Sequence, residues 1–87
     1  MNNKVLIKLI VPELDSNFDI FIPVNEVVWK IKKLIIKCIS DLSNVNLDVK
    51  KEYILINLSN NCIYDNNDII INTDIRNGTE LIFITQK

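Results

Sequence analysis

The sequence predicts an α+β fold in which a single amphipathic helix covers one face of one mixed β-sheet. Apolar, β-branched runs separated by polar turns predict strands at residues 5–11, 18–22, 53–58, 62–64 and 81–85. Between the second and third of these runs, apolar residues recur with the period of an α-helix. No repeat or linker divides the 87 residues, so we expect a single domain over 1–87 with about five strands.

The first two strands and the helix follow from local chemistry. The segment 12–17 contains Pro, Asp, Ser and Asn and is typical of a turn, which predicts a hairpin. Pro23 has no N–H to offer a ladder and should end the second strand, and Asn25 is suited to capping a helix. The apolar residues that share one arc of this helix are Val27, Val28, Ile31, Leu34, Ile35, Cys38, Ile39 and Leu42.

The second half of the chain predicts a long connection and two more pairing elements. Residues 43–51 lose the helical period and contain several Asn and Asp, so we expect a loop. Asn60 and Asn61 tolerate the left-handed backbone of a tight turn, which predicts a short hairpin between 53–58 and 62–64. A turn at 76–78 leads into the last strand.

Composition excludes several classes of function. Ten basic and eleven acidic residues give a net charge of −1, which disfavours nucleic-acid binding. Histidine is absent, and with it the usual general base and the commonest metal ligand. Cys38 lies on the apolar arc and Cys62 near a turn, and no histidine exists to activate either. We therefore expect no catalytic residue, no metal, no cofactor and no enzyme activity.

The N-terminal region predicts neither export nor membrane insertion. The apolar run at residues 5–11 is short and is interrupted by Lys8, unlike a signal h-region or a membrane span. The two cysteines are too few for a disulfide framework, so we expect reduced thiols and a cytoplasmic location.

The order of elements resembles the ubiquitin-like β-grasp fold, and the closer resemblance is to the YukD/EsaB family of small ubiquitin-like proteins of bacterial type VII secretion systems. It covers nearly the whole chain, from Lys4 to Ile84. Residues 18–23, FDIFIP, are similar to that family's second strand with its closing Pro. The helix carries apolar pairs at 27–28 and 34–35, and residues 67–81 are similar to the family's "N-D-x-L-x-x-x-x-I-x-x-G-D-x-L" ending.

The resemblance implies a mixed sheet whose first and last strands pair in parallel at its centre. Two positions depart from the family: Asn60-Asn61 replaces a turn that often contains Gly, and Thr79 replaces a frequent acidic residue. The chain ends in Ile84-Thr85-Gln86-Lys87 and not in the diglycine of ubiquitin and the sulfur carriers. The resemblance therefore implies the fold and not conjugation.

Two surfaces are candidate partner-binding sites. If alternate residues such as Val5, Phe18, Ile54 and Ile56 face the helix, the opposite sheet face is left without a covering helix. We expect that uncovered face to carry Leu6, Phe21, Leu55, Ile82 and Ile84. On the outer side of the helix, Trp29 and Ile36 are seven residues apart and nearly stacked, and we expect this pair to contact the long loop, a second subunit or a partner.

The sequence thus predicts a non-enzymatic, cytoplasmic accessory or regulatory protein of a bacterial type VII secretion system that acts by protein docking. The expected partner is a cytosolic part of that machine or a second copy of the chain, with no nucleic acid. Two alternatives stay open: a ubiquitin-like sulfur carrier activated at its C-terminus, and a generic β-grasp interaction module.

Overall fold

The fold is a four-stranded mixed sheet with one α-helix on one face, as a computed structural model of residues 3–86 shows. The strands are β1 (Lys4–Val11), β2 (Ser16–Pro23), β3 (Tyr53–Asn57) and β4 (Glu80–Thr85), and the helix is α1 (Val28–Ser43). The sheet order is β2-β1-β4-β3. β1 and β2 form the predicted antiparallel hairpin, and β1 and β4 pair in parallel at the centre. These features confirm the predicted fold class.

The strand count differs from the expected five. Residues 62–64 lie beside β3, but the bridge between Ile56 and Ile63 is the only strand-like pairing described for this segment. The N–H of Asn57 and that of Tyr64 also take part in backbone bonds across this gap, at 2.8 and 3.2 Å. The short segment therefore covers the free edge of β3 without becoming a strand.

The helix begins later than the capping pattern predicts. The N-cap position is Val27 and not Asn25, and no side chain caps it. Instead, the backbone N–H groups of Val28 and Trp29 donate to the carbonyl oxygens of Asp68 and Asn66, at 2.8 and 3.1 Å. A turn distant in sequence thus satisfies the orphan donors of the first helical turn, which local sequence cannot reveal.

The core lies between α1 and the inner face of the sheet. The helix buries Val28, Ile31, Ile35 and Ile39 completely, as its apolar period predicts. The sheet and the later loops complete the buried cluster with Ile7, Leu9, Val11, Ile20, Ile22, Tyr53, Leu55, Tyr64, Ile70, Ile75, Leu81 and Phe83.

The face assignment predicted for β3 is wrong. Leu55 is completely buried and pairs with the equally buried Phe83, whereas Ile54 and Ile56 lie on the outer face. Tyr53 stacks on Phe83 with ring centroids 4.6 Å apart, which fixes the same phase. Both phases of this strand are apolar in sequence, so the pairing with β4 decided which one faces the helix.

Gly78 closes the turn before β4. Its φ is +87°, and its N–H donates to the carbonyl of Leu6 at 2.8 Å, which extends the pairing of β1 with the chain entering β4. We expect Gly78→Ala to lower the free energy of unfolding by about 1–2 kcal/mol, since a Cβ disfavours this conformation although nothing lies within 4 Å to clash with it.

Urea denaturation measures this loss. Gly78→Asn is the matched variant, and it should lose less because Asn tolerates positive φ better than Ala does. Wild-type stability in the Ala variant would show that the turn relaxes to another backbone conformation.

Candidate docking surfaces

The sheet face opposite α1 carries most of the side chains predicted there. Leu6 and Phe21 are direct cross-strand neighbours, and Phe21 is 57% exposed. Ile82 and Ile84 on β4 are half-buried and lie opposite Ile56 and Ile54, respectively. Leu55 is the exception, because its side chain belongs to the core.

Charged residues divide this outer face into two apolar parts. Lys8 lies opposite Asp19 on β2 and opposite Glu80 on β4, so one row across three strands is charged. Leu6 and Phe21 lie on one side of this row, and Ile82 lies on the other. The five residues predicted for the sheet face are therefore not brought together into one patch.

The larger apolar part, here called the isoleucine patch, consists of outward-facing isoleucines on β1, β3, β4 and the segment beside β3. Ile10 lies opposite Ile82, Ile82 opposite Ile56, and Ile56 opposite Ile63. The full patch comprises Ile10, Ile54, Ile56, Ile63, Ile82 and Ile84.

Several members of the isoleucine patch were missed at the sequence level. Ile54 and Ile56 were assigned to the wrong face, and Ile10 and Ile63 were not singled out. Ile63 is 58% exposed, and only its bridge to Ile56 shows that it extends the sheet surface. Ile10 could have been predicted to face outward, because successive residues of a strand point to opposite faces and its neighbour Leu9 was expected to face the helix.

The second candidate surface lies between α1 and the loop that follows it. Trp29 is 41% exposed, and together with Ile36 it lines a hollow that residues Val49 and Tyr53 close on the other side. The Trp29/Ile36 pair therefore lies beside the long loop, across a hollow that Val49 of this loop also lines. Lysines surround the indole: the Nζ atoms of Lys30 and Lys33 lie 5.4 and 5.2 Å from the Trp29 ring centroid.

Lys32 lies inside this hollow and differs from the solvated lysines. Its Nζ donates to Oδ1 of Asn66 at 2.7 Å. Burial lowers the pKa of Lys32, and the nearby carboxylate of Glu52 opposes that change. Lys32 therefore contributes a partly buried amino group, already bonded to Asn66, to the lining of this hollow.

Titratable groups elsewhere form a structural network. Tyr64 is buried, and its hydroxyl donates to Oδ1 of Asp74 and accepts from Nδ2 of Asn57 at 3.1 Å. Asn60 donates to Oδ2 of Asp74 at 2.9 Å. Burial, reinforced by the bond to Asp74, raises the pKa of Tyr64, and the bonds from Tyr64 and Asn60 lower the pKa of Asp74.

This network explains why a polar residue faces the core in β3. Asn57 is 5% exposed, and its Oδ1 accepts from both the backbone N–H and the hydroxyl of Ser59 at 2.9 Å. The hydrogen bonds of Asn57 tie β3 to the following turn and to the loop that carries Asp74. We assign this cluster to stability, since its tyrosine is buried.

Other groups of chemical interest are not assembled into a site. Among residues 3–86, no three His, Cys, Asp or Glu side chains are grouped so that they could hold a metal ion. Cys62 is exposed and Cys38 is half-buried, and both are free thiols. Within the same residues, no helix has the length and apolarity needed to cross a membrane.

Comparison with solved structures identifies the fold. The chain is similar to the ubiquitin-like domain of Dsk2 from Plasmodium falciparum, with a TM-score of 0.73 and 13% identity over 95% of this chain and 99% of that one. It is also similar to the EccD5 ubiquitin-like domain from Mycobacterium xenopi, with a TM-score of 0.71 and 10% identity over 99% and 98%. The protein therefore has the ubiquitin-like β-grasp fold.

A third similarity is to part of a larger chain. A subunit of the MycP5-free ESX-5 inner membrane complex matches with a TM-score of 0.69 and 12% identity over 98% of this chain. The match covers 21% of that subunit, so this chain spans about a fifth of its length. No protein-family model and no curated protein matches the sequence. At these identities the likeness shows the fold alone.

Proposed function

We propose that this protein is a non-enzymatic, cytoplasmic accessory or regulatory protein of a bacterial type VII secretion system, and that it acts by docking through its outer sheet face. The observation that carries the proposal is the isoleucine patch, a group of outward apolar side chains on a sheet face that no helix within residues 3–86 covers. Contiguous apolar surface of this kind is typical of protein interaction sites.

Two structural neighbours support the choice of pathway. The EccD5 domain and the ESX-5 inner membrane complex belong to type VII secretion, and the sequence resembles the YukD/EsaB family of the same systems. The partner we propose is a cytosolic part of that machine or a second copy of this chain. In this proposal the protein acts by binding its partner and catalyses no reaction.

Affinity purification of the tagged chain from its source cells tests the proposal. We expect mass spectrometry to identify a cytosolic secretion component or an untagged copy of the chain. Replacing Ile54 and Ile63 with Asp should reduce that recovery about tenfold, because two carboxylates on the isoleucine patch would have to be desolvated in the complex.

A matched double variant separates this effect from added charge. Leu42 and Ile71 are 64% and 56% exposed and lie outside the isoleucine patch, so Leu42→Asp with Ile71→Asp adds the same charge at a different place. This control should retain the partner. Undiminished recovery with the Ile54/Ile63 variant, or equal loss with both variants, would overturn docking through the sheet.

A further inference from the structure

A groove runs between α1 and the loop that follows it, on the side of the molecule away from the isoleucine patch. Two adjoining hollows of about 180 and 350 Å³ form it, and both are lined by Lys33, Ile36 and Val49. The first hollow extends to Trp29, and the second to Leu47. We call this continuous depression the helix–loop groove.

The groove has an apolar floor that a folded monomer leaves in water. Trp29 is 41% exposed and Val49 is 72% exposed. Ile36 and Leu47 are half-buried and pack against the core from this side. The large apolar side chains that line the two hollows offer contacts for apolar side chains of a partner.

The charge of the groove is opposite to that of the whole chain. Four lysines, Lys32, Lys33, Lys37 and Lys51, line it against one acidic residue, Glu52. The complete chain has a net charge of −1, so positive charge is concentrated here. An acidic segment would be drawn to this face.

We propose that the helix–loop groove binds an acidic peptide segment of a partner protein, with apolar side chains of that segment seated against Trp29, Ile36 and Val49. The groove follows α1 from Trp29 to Ser40, a length of roughly 16 Å. That length accommodates about five extended residues or about eleven helical ones. The site is separate from the sheet face, so it would give the domain a second point of attachment.

The same observations disfavour the other acidic macromolecules. An anionic membrane is flat and would not fill two hollows, and Glu52 lies within the contact area. Single-stranded nucleic acid is held by several aromatic side chains on which successive bases stack, whereas Trp29 is the only exposed aromatic residue among those that line the groove. A peptide uses the apolar floor and the lysine rim together.

Trp29 is the only tryptophan of the chain and reports directly on the groove. The probe is a synthetic peptide of about 12 residues without Trp or Tyr, with two leucines four positions apart and Glu, Asp and Ala elsewhere. We expect a saturable blue shift of the Trp29 emission that weakens with added salt. A peptide with Lys in place of the acidic residues and one with Ser in place of both leucines should cause no such shift.

Matched variants locate the binding site. Lys33→Gln with Lys37→Gln should weaken binding about tenfold, whereas Lys8→Gln with Lys50→Gln, equal in charge but outside the groove, should change it less than about twofold. Val49→Ser should weaken binding, whereas Ile71→Ser, at another exposed apolar position outside the groove, should not. The substituted positions are exposed, so all four variants should remain folded.

Three results would overturn the groove proposal. They are no emission shift with the acidic peptide, an equal shift with the lysine peptide, and a comparable shift with phosphatidylserine vesicles or a poly-uridine oligonucleotide. The Ile54/Ile63 variant should bind the acidic peptide normally, so failure here and failure of sheet docking are distinguishable.

Discussion

Leu55→Asp is expected to unfold the protein at neutral pH. The Leu55 side chain is completely buried opposite Phe83, so the substitution places an ionised carboxylate in the core without a partner. The free energy of unfolding should fall by more than about 4 kcal/mol, a large share of the stability of a small domain. Far-UV circular dichroism and the dispersion of amide proton shifts measure the loss.

Ile54→Asp is the matched control for this prediction. It lies next to Leu55 in β3 but on the outer face, where water can solvate the new carboxylate. We expect this variant to remain folded and to lose about 1 kcal/mol or less. The reverse order, a folded Leu55→Asp and an unfolded Ile54→Asp, would contradict the phase of β3 described here.

Tyr64→Phe and Asp74→Ala are each expected to lower the free energy of unfolding by about 1–2 kcal/mol. Each removes the hydrogen bond between the buried phenol and the carboxylate, and such bonds to charged groups are stronger than neutral ones. The double variant should lose less than the sum of the two, with a coupling of about 1 kcal/mol. Urea unfolding of the four proteins gives the cycle, and strict additivity would show that the bond contributes nothing.

The Asp74 contribution should depend on pH. The pKa of Asp74 is lowered in the folded protein, chiefly by the Tyr64 bond, so its stabilisation is present above the usual value of 3.8 and is lost as pH falls through the folded-state pKa. The stability difference between wild type and Asp74→Ala should therefore shrink between pH 5 and pH 2. A difference that stays constant over this range would mean that the carboxylate charge plays no part.

The pKa of Tyr64 changes in the opposite direction to that of Asp74. The pKa of Tyr64 is raised, chiefly by burial, so this residue stabilises the fold below its usual pKa of 10.0, and that contribution is lost as pH rises through the folded-state value. The network should therefore stabilise β3 and the loop carrying Asp74 across the neutral range.

The elements with a single apolar phase were predictable from the sequence. The arc containing Ile31, Ile35 and Ile39 placed α1 on the sheet because it is the widest apolar face of that helix. The outer side carries mostly lysines, with Trp29 and Ile36 among them. The hairpin of β1 and β2 followed from the turn chemistry between two β-branched runs. The parallel pairing of β1 with β4 followed from the resemblance to ubiquitin-like proteins, and the register confirms it.

The candidate docking surfaces were predictable only in part. Leu6, Phe21, Ile82 and Ile84 do face outward, but the charged row through Lys8 separates the first two from the others. The helix–loop groove could not be predicted, because residues 44–52 form one of its sides and their sequence has no periodicity from which their path could be inferred. Trp29 and Ile36 could be predicted to share one side of the helix, because seven residues amount to nearly two helical turns.

The fold class, the helix face and the opening hairpin follow from the amino-acid sequence, since each depends on periodicity or turn chemistry within a few residues of chain. The phase of β3, the start of α1 and the composition of both surfaces depend on contacts between segments that are distant in the chain. Strand 53–57 is apolar on both faces, so its orientation depends on Phe83 and on the hydrogen bonds of Asn57, and the first helical turn depends on carbonyl groups near residue 67. Long-range contacts of this kind leave no local pattern in the chain.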